Sequence, residues 1–255
     1  MRTKFRIVLP ILCVAILGGI AWSALRPGEP VYQGRRLSGW LEEYAAQYLI
    51  PPVGHLDQYF RPPNLHPDER VVAADVAAIR YIGSEAVPSL VGMVEAKDSP
   101  LKQSLTALIQ KQPLVPFHPR TAAIYHQMAE LGFMILGPDA KAAVPALVGL
   151  LHNRDQEIQK SAIASLYSIG PAAQAAQPAL LPFLNHTNLD LQEAAIACLG
   201  NLGPAAQDAV PVLLPYLNHT NVVIRHKTKR ALDNIQAPIE LGSISSDIGV
   251  ASGQS

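Results

Sequence analysis

Between Gln156 and Gln236 the apolar positions fall on one face of a helix, and the same face returns at a fixed interval. Ile158, Ala162, Ser165, Leu166 and Ile169 stand at offsets 0, 4, 7, 8 and 11, a stripe with the period of ~3.6 residues per turn. The stripe recurs 33 residues later as Leu191, Ala195, Cys198, Leu199 and Leu202, and again as Ile224, Thr228, Ala231, Leu232 and Ile235. Tyr125, Ala129, Gly132, Phe133 and Leu136 form an earlier copy, and Val71, Asp75, Ala78, Ile79 and Ile82 fit except at Asp75. Small residues at the second and third stripe positions predict close helix–helix approach.

A shorter helix precedes each striped one, in the copies AVPALVGLL, AQPALLPFL and AVPVLLPYL. Gly83, Gly137, Gly170 and Gly203 follow the last stripe residue, where a left-handed C-terminal position favours Gly. Pro182 and Pro215 fall inside the shorter helix and predict a kink there, at a local cost of up to ~3 kcal/mol each. The heptapeptides PFLNHTN and PYLNHTN, 33 residues apart, then read as the polar turn between the two helices of a pair. Self-similarity at this period predicts an all-α solenoid over 69–236, each unit burying its apolar face against its neighbours. An inserted helix is predicted near 101–111.

Upstream, the run Ile7–Leu25 carries no charge; Arg2, Lys4 and Arg6 precede it, and Arg26 alone follows closely. As a helix it spans ~28 Å, close to the ~30 Å hydrocarbon core of a bilayer. Residues 1–26 thus predict a signal anchor or transmembrane helix, with the remainder on the non-cytoplasmic side by the positive-inside bias. The competing reading is a signal peptide cleaved after Ser23, with Ala21 and Ser23 as its small residues. Residues 27–68 read as a spacer holding an amphipathic helix over 38–49, with Ser38 as its N-cap, and a Pro-rich segment over 51–67. That helix either lies on the membrane or covers the end of the repeat array; it lacks the basic polar face of an interfacial helix. The tail 237–255 reads as disordered.

The unit AxPALLxxLxxxxxxIxxxAxxxLxxIG resembles the HEAT-type repeat in the short form found in bilin-lyase-related proteins. The stretch EPVYQGRRLSGWLEEY, followed by AIRYIGSEAVPSL, is similar to exported bacterial HEAT-repeat proteins of undefined role. Such repeats often carry Asp in the turn and Arg early in the second helix. Here those slots hold Asp155 with Gln159, Asn188 with Gln192, and Asn221 with Arg225. Amide contacts are expected in place of an ion-pair ladder.

Composition narrows the function classes. Charge is balanced, 20 basic against 20 acidic residues, which argues against a nucleic-acid partner. Cys13 and Cys198 do not read as a disulfide or a zinc site, and Cys198 falls on an apolar stripe. His152, His186 and His219 lie near equivalent turns ~10 Å apart, too far to share one metal ion. No catalytic, cofactor or metal residues are assigned, and none of the familiar nucleotide, metalloprotease or hydrolase motifs is present.

The reading is a non-catalytic scaffold, monomeric and held to the bacterial cell envelope by its N-terminal helix, binding a protein partner. Gln159, Gln192 and Arg225, with Lys160, Glu193 and His226 beside them, are the candidate partner-binding surface. The alternative is an accessory or lyase-like enzyme subunit whose pocket is walled by the insertion 98–119. Arg225, His226, Lys227, Lys229 and Arg230 read either as the polar end cap an array requires or as a basic binding patch.

Overall fold

The computed structural model describes residues 28–48, 69–110 and 120–236. The apolar run Ile7–Leu25, the Pro-rich segment, part of the insertion and the tail lie outside the described residues. The chain divides into two compact units, the first ending at Gly92 and the second beginning at Met93.

The first unit opens with a hairpin where the sequence had suggested a spacer. Strands β1 (Val31–Tyr32) and β2 (Arg35–Arg36) pair antiparallel, with Val31 opposite Arg36. Gln33 and Gly34 take φ of 50° and 76°, the left-handed pair that a two-residue hairpin turn requires. Helix α1 (Leu37–Tyr48) follows at once. Ser38 is not its N-cap: the helix already includes Leu37, and the Ser38 N–H donates to the Glu29 carboxylate at 3.1 Å. A carboxylate from nine residues upstream therefore satisfies a donor that the helix start leaves open. Leu37, Leu41 and Tyr44 of α1 are buried, and α1 packs on α2 (Glu69–Ile82), whose buried face is Asp75, Ala78, Ile79 and Ile82. Of the two roles read for this segment, it performs the covering one with respect to α2. A 3-10 turn (Gly83–Ala86) leads into α3 (Val87–Val94), which crosses the boundary between the units.

In the second unit α4 (Pro100–Gln110) is the predicted insertion, and α5 (Ala122–Leu136) is the first striped helix. Three pairs follow. They are α6 (Val144–Leu150) with α7 (Gln156–Ile169), α8 (Gln177–Leu180) with α9 (Leu189–Asn201), and α10 (Val210–Leu213) with α11 (Val222–Gln236). The striped helices pack in order, α5 on α7, α7 on α9 and α9 on α11. Ile158, Ala162, Leu166, Ile169, Leu191, Ala195, Cys198, Leu199 and Ile224 are buried. Ser165 and Thr228 occupy small-residue slots by donating their hydroxyls to the Ser161 and Ile224 carbonyls at 2.8 Å, which satisfies them inside their own helix. Gly137, Gly170 and Gly203 have φ of 52°, 68° and 62°, as a helix-ending position demands.

The prolines act more strongly than a kink. After Leu180 and Leu213 the shorter helix turns into 3-10 geometry over Leu181–Asn185 and Leu214–Asn218. Pro182 and Pro215 have no N–H for the α-helical bond, and the tighter winding carries the chain past them. In the copy with Val148 at that slot, α6 stays α-helical to Leu150. Among the described residues only Ala122–Leu150 is long and apolar enough to cross a membrane. It is not one straight helix, since it breaks at Gly137, and its apolar residues Phe133, Leu136, Val144 and Leu147 are core residues of this unit.

The closest helix approach lies one residue beyond the stripe. A Cβ placed on Gly200 of α9 would sit 2.6 Å from the Ala231 Cα of α11. Gly200→Ala should therefore push α11 outward and cost about 1–3 kcal/mol, read as a lowered denaturant midpoint at unchanged slope. A variant as stable as wild type would show that α9 and α11 do not meet at this position.

Candidate partner-binding surface

The turns between the helices of each pair are built from three recurring side chains. At the first position Asn153 Oδ1 accepts the Asp155 N–H at 3.0 Å. His186 Nδ1 accepts the Asn188 N–H at 3.0 Å, and His219 Nδ1 accepts the Asn221 N–H at 3.1 Å. The donor in each case is a backbone amide, so the imidazole nitrogen facing it is bare and the neutral ring carries its proton on Nε2. Phe183 and Tyr216 stack on these rings, with centroids 5.8 and 6.1 Å apart. The recurring His therefore has a structural task, and Asn performs it one repeat earlier.

At the second position the residue accepting that bond caps the following helix. Asp155, Asn188 and Asn221 accept the N–H groups of Glu157, Asp190 and Val223 at 3.1, 2.9 and 2.7 Å, the usual N-cap arrangement. Asp98 plays a similar part across the insertion: its carboxylate accepts the N–H of Ala122, the first residue of α5, at 2.9 Å. Burial raises the Asp98 carboxyl, but the Lys102 ammonium, the Ala122 N–H and His126 outweigh it and hold the group below its ordinary range. His126 in turn contacts the Ala96 carbonyl through Nε2 at 3.0 Å.

The third position holds Gln159, Gln192 and Arg225. The Gln159 amide donates to the Leu151 and Asn153 carbonyls at 3.1 and 2.8 Å. Gln192 is 5% exposed and donates to the Leu184 carbonyl. Arg225 donates to the His219 and Thr220 carbonyls at 2.7 and 2.9 Å. These groups tie the end of the shorter helix to the start of the striped one. The side-chain functions that made the three residues attractive as contact points are already engaged by main-chain carbonyls. The expected amide contacts appear between repeats too, where the Asn188 amide donates to Gln156 Oε1 at 2.8 Å.

Their sequence neighbours stand differently. Lys160 and His226 are exposed, and Glu193 is half-buried in an ion pair with Lys227 at 3.0 Å. Lys160 also acts on Glu130 of α5, whose carboxyl burial raises while the ammonium opposes the rise. Cys198 is buried, and burial pushes its thiol up to about 12, so it is a small apolar filler in this environment. Among the described residues no three His, Cys, Asp or Glu side chains converge as a metal site. Sequence reasoning missed the first turn position, because the 33-residue equivalence of Asn153 with His186 and His219 joins unlike letters.

If His186 serves as a hydrogen-bond acceptor, Asn can replace it. His186→Asn should keep most of the thermal stability, whereas His186→Ala should lose about 1 kcal/mol with the orphaned amide. Equal losses in both variants would show that ring stacking on Phe183, rather than the accepted bond, holds the turn.

No family model matches the chain, and no curated protein matches it. Solved structures resemble it weakly. The complex of CpcE and CpcF of phycocyanin lyase from Nostoc sp. superposes with a TM-score of 0.45 at 18% identity, over 84% of this chain and 70% of that one. An engineered protein gives 0.37 at 21% identity, over 66% of this chain and 91% of its own. A designed armadillo repeat protein in complex with the peptide (KR)4 gives 0.37 at 14% identity, over 66% and 95%. The chain is built of HEAT-type helix pairs, and its own 33-residue geometry carries that statement.

Proposed function

We propose that the protein is a membrane-anchored, exported scaffold whose helical repeats bind a protein partner without catalysing a reaction. One observation carries the binding role. Lys160, Glu193 and His226 occupy the same position on three successive striped helices, outside the turn hydrogen bonds. A row that offers one side chain per repeat is how stacked-helix proteins meet an extended partner. The adjoining Gln159, Gln192 and Arg225 hold the row in register from beneath. Two shifted carboxyls of the second unit, Asp98 and Glu130, each face their own lysine, Lys102 and Lys160. That is the arrangement of structural charges rather than of an acid–base pair. Anchoring and export rest on the uncharged run Ile7–Leu25 and the Arg2, Lys4 and Arg6 that precede it.

Two readouts on one strain test the reading. Alkaline phosphatase fused after Ser255 should be active in intact cells; an inactive fusion made at normal levels would remove the export claim. A partner captured from envelope extract by the region 27–255 should bind Lys160→Glu/His226→Glu at least tenfold more weakly, a loss of about 1.4 kcal/mol, with the melting point unchanged. Undiminished binding would place the partner surface elsewhere.

A further inference from the structure

Asp75 is the one stripe residue that breaks the small-or-apolar rule, and the structure buries it. It is 1% exposed, and its Oδ2 has no hydrogen-bond partner. The equivalent slot holds Ala129, Ala162, Ala195 and Thr228 on the other striped helices. Here α1 packs on α2, with Leu37, Leu41 and Tyr44 buried on the one side and Ala78, Ile79 and Ile82 on the other. A carboxylate within such an apolar face is costly when ionised and unpaired.

The charged groups that act on it do not neutralise it. Glu43 of α1 contributes a like charge and Arg35 of β2 an opposite one. The Arg35 guanidinium is already committed: it pairs with Glu43, donates to the Gly39 carbonyl and lies over the Trp40 ring at 4.7 Å from its centroid. Tyr32 of β1 packs against Tyr81 instead, at 4.4 Å between centroids, and Tyr44 is the other buried titratable group of α1. On α2 itself Arg70 and Arg80 are exposed, and Glu85 of the following turn is exposed about 15 Å further along.

We propose that Val31–Tyr48 is an acid-tightened cap on α2, held closed when Asp75 is protonated and loosened when it ionises. Loosening uncovers the face formed by Ala78, Ile79 and Ile82, so the cap controls access to an apolar helix face. The electrostatics agree with the packing. Burial first, and Glu43 second, push the carboxyl from 3.8 to about 6, with Arg35 opposing. Because the closed state holds the proton more tightly than the open one, its added stability is complete below 3.8 and is lost as pH rises through about 6.

Hydrogen exchange of the full-length protein in detergent micelles, followed by mass spectrometry with labelling times corrected for intrinsic exchange, reads the cap directly. Opening of peptides within 37–48 should be about tenfold rarer at pH 5 than at pH 7.5, as titration between 3.8 and about 6 requires. Asp75→Asn, which stays uncharged, should be protected equally at both pH values. Glu43→Gln should move the midpoint of the wild-type profile to lower pH, and it keeps the test decisive if Asp75→Asn does not fold. A wild-type profile flat across this range would overturn the proposal. So would pH dependence that survives in Asp75→Asn, or a midpoint that Glu43→Gln leaves in place.

Discussion

In the second unit each striped helix has one apolar face and can bury it only against the striped helix of the next pair. That constraint selects the small residues at Ala162, Ala195 and Ala231, and it brings α11 against Gly200 with no room for a methyl group. It also explains why polar side chains in the stripe turn inward on their own helix. Ser165 and Thr228 spend their hydroxyls on a carbonyl one turn back and so present a nearly apolar surface to the neighbour. Each buried Leu or Ile contributes about 1.5–3 kcal/mol to holding adjacent pairs together. With stability communicated only between neighbours, the array behaves as a chain of coupled units.

The stack needs the two helices of a pair to meet at a fixed angle, and the turn side chains provide it. An acceptor at 153, 186 or 219 fixes the cap residue, the cap residue starts the striped helix, and the donor at 159, 192 or 225 closes back on the shorter one. The polar letters of LNHTN thus serve the fold before they can serve a partner. Function falls to residues the module does not use, of which the row Lys160, Glu193 and His226 is the regular one.

Much of this was legible in the sequence, because helical period and helix-ending glycine are local properties. The stripe from Ile158 to Ile169 and the positive φ at Gly170 needed only the spacing of letters. What escaped depends on partners distant in sequence or on alternatives of equal local plausibility. The hairpin at Val31–Arg36 has strands of two residues each, too short for an alternating pattern to show. Gly200 resembles any glycine near a helix end until α11 is packed on it. Gln192 reads as a surface amide, yet its carbonyl partner lies eight residues back across the turn and takes it into the interior. Asp75 was visible as an exception, but the helix that buries it comes from a segment 30 residues upstream in the chain.

The central claim is that each pair is stabilised by its neighbour, and removal of the last pair's striped helix tests it most directly. The region 27–255 should be compared with 27–236 and with 27–221 by thermal denaturation and light scattering. Loss of 237–255, which carries no apolar period, should leave the melting point in place. Loss of Val222–Gln236 as well should uncover Leu191, Ala195, Cys198 and Leu199 and cause aggregation or a melting point several degrees lower. A soluble 27–221 monomer that melts with the full region would contradict neighbour-dependent stability and the packing of α11 on α9 with it.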